Sequence, residues 1–282
     1  MVYIVGASRL GKRIKRVVGG TLLSRHGGDI RVNYVREDFK IVLKKAKTVV
    51  FAAGNVSSNA RELKKEHIEP IEELVDAISS STKLIYASSI SVYGKKIENI
   101  DDNSAINPDT PYARAKARAE EIALNHKKTV SMRLGVLYGE EYGQYMKMIS
   151  AISSGYALIP GNGNGNIPFT HVGDVASFVK GLLKTDAYGA MNVAGKGCSL
   201  LQAIGTVERL LEKKAYHIHV PVAVGKLCDI VGCMFNSEVV ASLSSNRKVE
   251  SKKAEALGFK DRKIEEGIAE MVSCWKERRN RV

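Results

Sequence analysis

A chain of 282 residues with 44% hydrophobic content has the length and apolar fraction for one large α/β domain with a smaller lobe, which excludes a mostly disordered chain. No stretch approaches the roughly 18 uninterrupted apolar residues of a membrane helix, so no membrane partner is expected. The net charge of +13 is dispersed as the doublets Lys44-Lys45, Lys64-Lys65, Lys95-Lys96, Lys127-Lys128, Lys213-Lys214 and Lys252-Lys253. Only Lys276 to Arg281 forms a cluster, without the alternating aromatics of a base-stacking platform. The dispersed lysines read as solvated helix faces, and nucleic acid is not expected; a basic surface would also attract an anionic substrate or a phosphorylated cofactor, and charge alone does not decide between these.

The opening run MVYIVGASRLGKR lacks a basic segment before its apolar residues and a small-residue cleavage site after them. It reads as a first strand, Val2 to Val5, and the cytoplasm is the expected location. A basic helix follows over Leu10 to Val18, then strands at Thr21 to Ser24 and Ile30 to Tyr34. Helix is expected over Phe39 to Ala46, a buried strand over Thr48 to Ala53 and a long amphipathic helix over Ala60 to Ser79. Leu84 to Ser88 is a central strand, Thr110 to Asn125 a helix, and Thr129 to Leu134 the strand after it. This alternation is the pattern of βαβ units in a parallel sheet.

The pattern changes after Tyr138, with Gly161 to Gly165 forming a Gly/Asn loop. Helix returns over Asp174 to Lys184 and strand over Met191 to Val193, and helices dominate from Ser199 onward. The expected fold is a Rossmann-type, doubly wound α/β sheet, 1–138 plus 168–195. A small, mostly helical substrate lobe is expected from 139–167 plus 196–282. Cys198, Cys228, Cys233 and Cys274 form no CxxC pair and have no histidine at ligand spacing, so reduced, partly buried thiols and no metal are expected.

The turn Gly6-Ala7-Ser8-Arg9-Leu10-Gly11 leaves a strand and opens a helix. Gly6 permits the tight turn, Gly11 permits close helix–strand packing, and the helix N-terminus presents free N–H groups to a pyrophosphate. Ser8 occupies the place of the middle glycine. An NAD site normally carries an Asp or Glu about 20 residues past such a turn. Here the second strand ends in Ser24-Arg25-His26 without an acid, and Arg9 lies in the turn, so NADP is preferred over NAD.

Tyr112 and Lys116 lie four residues apart in PYARAKARAEE, a run of strong helix formers opened by Pro111, and so share one helix face. A tyrosine with pKa near 10 is a poor base at neutral pH. A neighbouring ammonium lowers that value and lets the phenol exchange a proton with a substrate hydroxyl or carbonyl. Lys116 is also placed to hold a nicotinamide ribose, and a hydroxyl at Ser88-Ser89 to polarise the same substrate oxygen.

These segments, with VYIVGASRLG, VVFAAG, ASSISVYG, RLGVLYG, GNGNGNIPFTHVGDVA, MNVAG and KKAEALGF, resemble the extended short-chain dehydrogenase/reductase family, in its NAD-dependent epimerase/dehydratase branch. The resemblance implies Ser89 as catalytic hydroxyl, Tyr112 as acid/base and Lys116 as its partner. It puts Ala52, Ala53 and Gly54 beside the adenosine ribose and Leu134 to Val136 beside the nicotinamide, and it implies a homodimer built from helices 60–79 and 110–125. Ser89, Ser91 and Arg247 become the expected substrate contacts, Arg247 matching a basic position that meets a diphosphate. His171 and Asp174 fall in a segment that supports the fold.

Two departures stand out. The turn is shorter and lacks the family's third glycine, and Ile90-Ser91 replaces the Asp-Glu of sugar dehydratases, so dehydration is not expected. The expected activity is hydride transfer on a hydroxyl or keto group of a nucleotide sugar, by a reductase that exchanges its cofactor. The alternatives are a 4-epimerase with tightly bound NAD and a non-catalytic dinucleotide-binding scaffold.

Overall fold

The computed structural model describes residues 1–54, 56–57, 59–95, 98–223 and 237–280. They divide into two units, one of Met1–Gly135, Val172–Val193 and Glu250–Lys260, the other of Val136–His171, Ala194–Val249 and Asp261–Val282. The elements begin with β1 (Val2–Val5), α1 (Arg9–Val18), β2 (Thr21–Ser24), β3 (Ile30–Arg31), α2 (Glu37–Leu43) and β4 (Thr48–Phe51). There follow α3 (Ala60–Leu63), a π turn (Lys64–Ile68), α4 (Glu69–Ala77), β5 (Lys83–Ser89), a 3₁₀ turn (Ile90–Tyr93), β6 (Asn99–Ile100), α5 (Pro111–Asn125) and β7 (Thr129–Leu134). Next come β8 (Val136–Tyr138), α6 (Gly143–Ser153), β9 (Tyr156–Pro160), β10 (Asn166–Ile167), β11 (Phe169–His171), α7 (Val172–Leu182), β12 (Gly189–Val193) and β13 (Cys198–Ser199). The last are α8 (Leu200–Leu211), β14 (Tyr216–Val220), α9 (Ser237–Leu243), β15 (Lys248–Val249), α10 (Lys252–Ala256) and α11 (Ile264–Arg279).

In the first unit seven strands form one sheet, β12-β7-β5-β4-β1-β2-β3, with every neighbouring pair parallel. β4 and β7 are buried along their whole length, as in a sheet covered on both faces. On one face Phe39 of α2, Ile71 and Leu74 of α4 and Ile122 of α5 pack with Tyr3, Val49 and Leu84. Burying a side chain of this size contributes about 1.5–3 kcal/mol. The strand order reverses between β1 and β4, and the crevice at the carboxyl ends of such a strand pair is where doubly wound sheets take their ligands.

The helix expected over Ala60 to Ser79 is broken in the middle. Pro70 has no N–H to donate, and its ring would crowd the Glu66 carbonyl in a regular helix. The wider π turn at Lys64–Ile68 relieves that conflict. The strand expected to reach Tyr34 stops at Arg31, because the Asn33 side chain accepts from the Val35 N–H at 3.3 Å and turns the chain.

The second unit holds its own core, in which Ile149, Ile152, Ile159, Ile204, Val207 and Met271 are buried together. β8 and β11 pair inside it, Val136 opposite Phe169 and Tyr138 opposite His171, so 136–138 and 168–171 belong here rather than with the large sheet. β14 pairs in parallel with β9, adding strand to a lobe that reads as mostly helical. Segment 250–260 joins the first unit instead, with Phe259 edge-on to Phe178 at 5.5 Å and Asn192 Nδ2 donating to the Glu250 carbonyl at 3.0 Å. Cys198 and Cys274 are free thiols, Cys198 pushed up to about 12 by burial. Cys228 and Cys233 lie outside the described residues.

Candidate active site

The turn after β1 depends on two glycines. Gly6 has φ 106°, and a Cβ there would lie 2.4 Å from Ala53 Cα; a Cβ on Gly11 would lie 2.0 Å from the Gly6 carbonyl oxygen. Either substitution drives two backbones apart. Ser8 caps α1 by accepting from the Gly11 N–H at 3.1 Å, and donates its own proton to the Ala52 carbonyl at 2.7 Å. Its hydroxyl thus ties the β1 turn to the end of β4. Arg9 and Leu10 open a helix with no acid in its first turn, whose leading amides lack intrahelical acceptors. A cradle that no Cβ can enter, at a basic helix N-terminus, fits the pyrophosphate of a dinucleotide.

At the end of β2 the Ser24 hydroxyl donates to the His26 carbonyl at 2.8 Å. Arg25 Nη2 meets both carboxylate oxygens of Glu66, at 2.6 and 2.5 Å. Its guanidinium also lies 5.3 Å from the centre of the Tyr34 ring. The acid missing from the sequence near Arg25 is therefore supplied across space by the π turn, and the pair carries no net charge.

Ala52 and Ala53 are buried; Gly54 has φ 120°, and a Cβ there would fall 2.2 Å from His67 Cε1. His67 is 1% exposed and lies edge-on to Tyr112, ring centres 5.7 Å apart. It sits between the Gly54 loop and the helix that carries Tyr112, a position that linear reading of RELKKEHIEP does not reveal.

Helix α5 starts with Thr110, whose Oγ1 accepts from the Ala113 N–H at 3.1 Å, and with Pro111 at the first helical position. This capping sets the helix register and with it the positions of Tyr112 and Lys116, one turn apart. Tyr112 is half-buried. Lys116 is 3% exposed, donates to the Ala87 carbonyl at 2.5 Å and lies 4.6 Å from the Tyr86 ring centre. Burial pushes its ammonium down to about 7, against a raising influence from Glu120. Ser89, at the end of β5, accepts from the Ser91 N–H at 3.1 Å, which leaves its own proton to donate. The hydroxyl oxygens of Ser88 and Ser91 are buried without a hydrogen-bond partner, polar groups that a bound ligand can satisfy.

Behind this face lies a buried polar chain that sequence reading missed. Glu120, one turn beyond Lys116, takes Arg133 Nε at 2.9 Å, Arg133 Nη2 at 2.6 Å and Ser131 Oγ at 3.1 Å. Arg133 Nη1 donates to Tyr93 Oη at 2.7 Å, and Tyr93 Oη donates to Asn192 Oδ1 at 2.7 Å. The chain bolts α5 to β7, β12 and the 3₁₀ turn after Ser89, so the elements that carry Ser89, Tyr112 and Lys116 share one support. Its signal was a charged arginine inside the otherwise uncharged strand TVSMRL.

Leu134 ends β7 and is 5% exposed; its neighbour Gly135 donates to the Val193 carbonyl at 3.1 Å. In the second unit Val136 N–H donates to the Pro168 carbonyl at 2.9 Å. Arg247, only 8% exposed, is held through its backbone by Asn166 on both sides, each at 2.7 Å. His171 is fully buried, edge-on to Tyr138 at 5.0 Å and 3.7 Å from Glu270.

A parallel sheet with a glycine-cradled helix N-terminus at its switch point, and a Ser–Tyr–Lys set on the adjoining strand and helix, defines a dinucleotide-binding α/β protein of Rossmann type. The sequence model of the NAD dependent epimerase/dehydratase family matches residues 4–194, and the chain belongs to that family. It is 29% identical over 155 residues to the N-acetyl-alpha-D-glucosaminyl-diphospho-ditrans,octacis-undecaprenol 4-epimerase of Escherichia coli O157:H7, covering 51% of this chain and 47% of that one. The chain spans about half the length of the curated relatives it matches. Among solved structures it is similar to MoeE5 in complex with UDP-glucose and NAD, with TM-score 0.80, 19% identity and 99% of each chain covered. It is also similar to human epimerase family protein SDR39U1 (isoform 2) with NADPH, with TM-score 0.81, 19% identity and 97% and 99% covered. Among the described residues no helix is long and apolar enough to cross a membrane.

Proposed function

We propose that the chain is a 4-epimerase for a sugar carried on a diphosphate, working with a nicotinamide dinucleotide that stays bound through the cycle. The observation that carries this reading is the Arg25–Glu66 pair. The preference for an exchanging, NADP-dependent reductase rests on an unopposed Arg25, and a 2′-phosphate would have to compete with Glu66 for it. The neutral pair supports NAD and with it the epimerase alternative. Two of the named relatives support the same direction: one is named as a 4-epimerase of a polyprenyl diphosphate sugar, and MoeE5 is described with a UDP-sugar and NAD, whereas SDR39U1 is described with NADPH. The two ligands share a diphosphate, which suits a chain of net charge +13.

The dinucleotide would be held by the Gly6–Gly11 turn and the Ala52–Gly54 segment, and when bound its nicotinamide supplies a reversible hydride acceptor. Tyr112 Oη takes the proton of the sugar hydroxyl as that carbon becomes a carbonyl, and returns it when the hydroxyl is restored. Lys116 Nζ stabilises the phenolate, which in turn favours the ammonium form that burial disfavours. Ser89 Oγ donates to the same substrate oxygen.

Tyr112→Phe removes the proton carrier without removing bulk. Turnover is expected to fall by about 10²–10⁴-fold, with the amount of nucleotide co-purifying unchanged. Undiminished turnover in this variant would show that another group moves the proton.

A further inference from the structure

The strand pair β9 and β14 of the second unit turns an apolar face away from its core. The parallel register sets Tyr156 beside Tyr216 and Leu158 beside Ile218. All four are exposed, Tyr216 to 77%; the alternate residues of β9, Ala157 and Ile159, are buried, and those of β14 are the half-buried His217 and the exposed His219. Val222, two residues past β14, is also exposed. A strand pair with one solvated face ordinarily puts polar residues there; this one presents aromatic and aliphatic groups.

Cations gather at one end of the same pair. Lys213 Nζ donates to the Ser153 carbonyl at 2.9 Å, Arg279 Nη1 to Ser153 Oγ at 3.3 Å and Lys276 Nζ to the Leu210 carbonyl at 3.1 Å. The Trp275 indole donates to Ser150 Oγ at 2.8 Å. Ser153 precedes Tyr156 by three residues and Lys213 precedes Tyr216 by three, so cations and tyrosines share that end. Ser150, Ser153, Ser154, Trp275, Arg278 and Arg279 line an open hollow of about 440 Å³. With exposed Lys214, five cations stand here against two exposed carboxylates, Glu212 and Glu277.

We propose that this face docks on an anionic phospholipid bilayer. Tyrosine and tryptophan settle at the depth of lipid headgroups, aliphatic side chains enter just below, and lysine and arginine pair with lipid phosphates. The hollow between Trp275 and the two arginines offers serine hydroxyls and two guanidinium groups to one such phosphate. Lying on a surface needs no spanning segment, so the lack of a long apolar run bears only on crossing the membrane. A second copy is a poorer occupant, because its own face would bring only two exposed carboxylates toward five cations. Docking stands apart from the proposed epimerase activity; only its use, access to a polyprenyl diphosphate sugar, rests on that reading.

The test is co-sedimentation of the full chain, without substrate, with vesicles of phosphatidylglycerol mixed with phosphatidylcholine and with vesicles of phosphatidylcholine alone. The expected result is recruitment to the anionic vesicles only, weakened by salt. Each cation near such a surface is worth about 1 kcal/mol, roughly fivefold in affinity, so the pair Arg278→Ala and Arg279→Ala is expected to cost roughly 25-fold. Tyr156→Ser with Tyr216→Ser lowers vesicle affinity while leaving salt sensitivity intact. The substituted side chains are solvent-facing, and unchanged thermal unfolding confirms the fold. No recruitment at low salt, or full recruitment of both variants, overturns the proposal. Self-association in solution that the tyrosine variant abolishes also overturns it, and assigns the face to a second copy. Since no turnover is read, failure of the epimerase reading leaves this outcome unaffected.

Discussion

Lys116→Met exposes what the buried lysine of the candidate site costs the fold. Burial holds the amine at about 7 against its ordinary 10.5. In the unfolded chain it titrates near the ordinary value, so between these limits folding releases a proton and stability rises with pH. Below about pH 7 both states carry the proton and the cost of the buried charge is present in full. The fall from 10.5 to about 7, at about 1.36 kcal/mol per pH unit, sets that cost at about 5 kcal/mol. Methionine keeps the unbranched stem but leaves the Ala87 carbonyl without its donor, a loss of about 1–3 kcal/mol. The nucleotide-free variant should therefore be more stable than the parent by about 2–4 kcal/mol near pH 6, with the margin vanishing and then reversing toward pH 10. Urea unfolding of both proteins across this range, compared at constant m-value, reads the margin directly. A margin that does not change with pH would refute the reasoning. The stabilised variant should be inactive, the usual trade between stability and function.

Glu66→Gln frees Arg25 from its carboxylate, so NADPH affinity should rise by about tenfold relative to NADH, in keeping with about 1–3 kcal/mol for a charge-assisted contact; equal affinities before and after would separate Arg25 from the cofactor choice. Glu120→Ala strands the Arg133 guanidinium, 6% exposed, and should destabilise by about 3–5 kcal/mol, while Glu120→Ala with Arg133→Met should recover most of the loss; thermal unfolding of the three proteins decides. Gly6→Ala forces a Cβ to 2.4 Å from Ala53 Cα at φ 106°, and calorimetric titration should find no dinucleotide binding in whatever folded fraction remains.

The parts legible in the sequence were those in which residues close along the chain do the work. The Gly6–Gly11 turn, the Thr110-Pro111 helix start and the one-turn spacing of Tyr112 and Lys116 are local, and the buried apolar strands announce the sheet. The rest depends on contacts across long separations. Arg25 and Glu66 lie 41 residues apart, and they meet because a proline-driven π turn re-aims the 64–68 segment. Arg25 therefore reads as an unopposed cation until the fold closes. Glu120, Arg133, Tyr93 and Asn192 come from four elements, each with a plausible exposed role of its own. The outward Tyr156, Leu158, Tyr216 and Ile218 form one face only because β14 pairs with β9 across two intervening helices, Val172–Leu182 and Leu200–Leu211.

The most direct test of the epimerase reading is turnover of a C4-deuterated UDP-N-acetylglucosamine, or of the corresponding polyprenyl diphosphate sugar, with no nicotinamide nucleotide added. The account predicts the C4 epimer with deuterium retained at C4, because hydride leaves and returns within one bound dinucleotide. Conversion that requires added NADPH and consumes it stoichiometrically would contradict the account and restore the exchanging reductase.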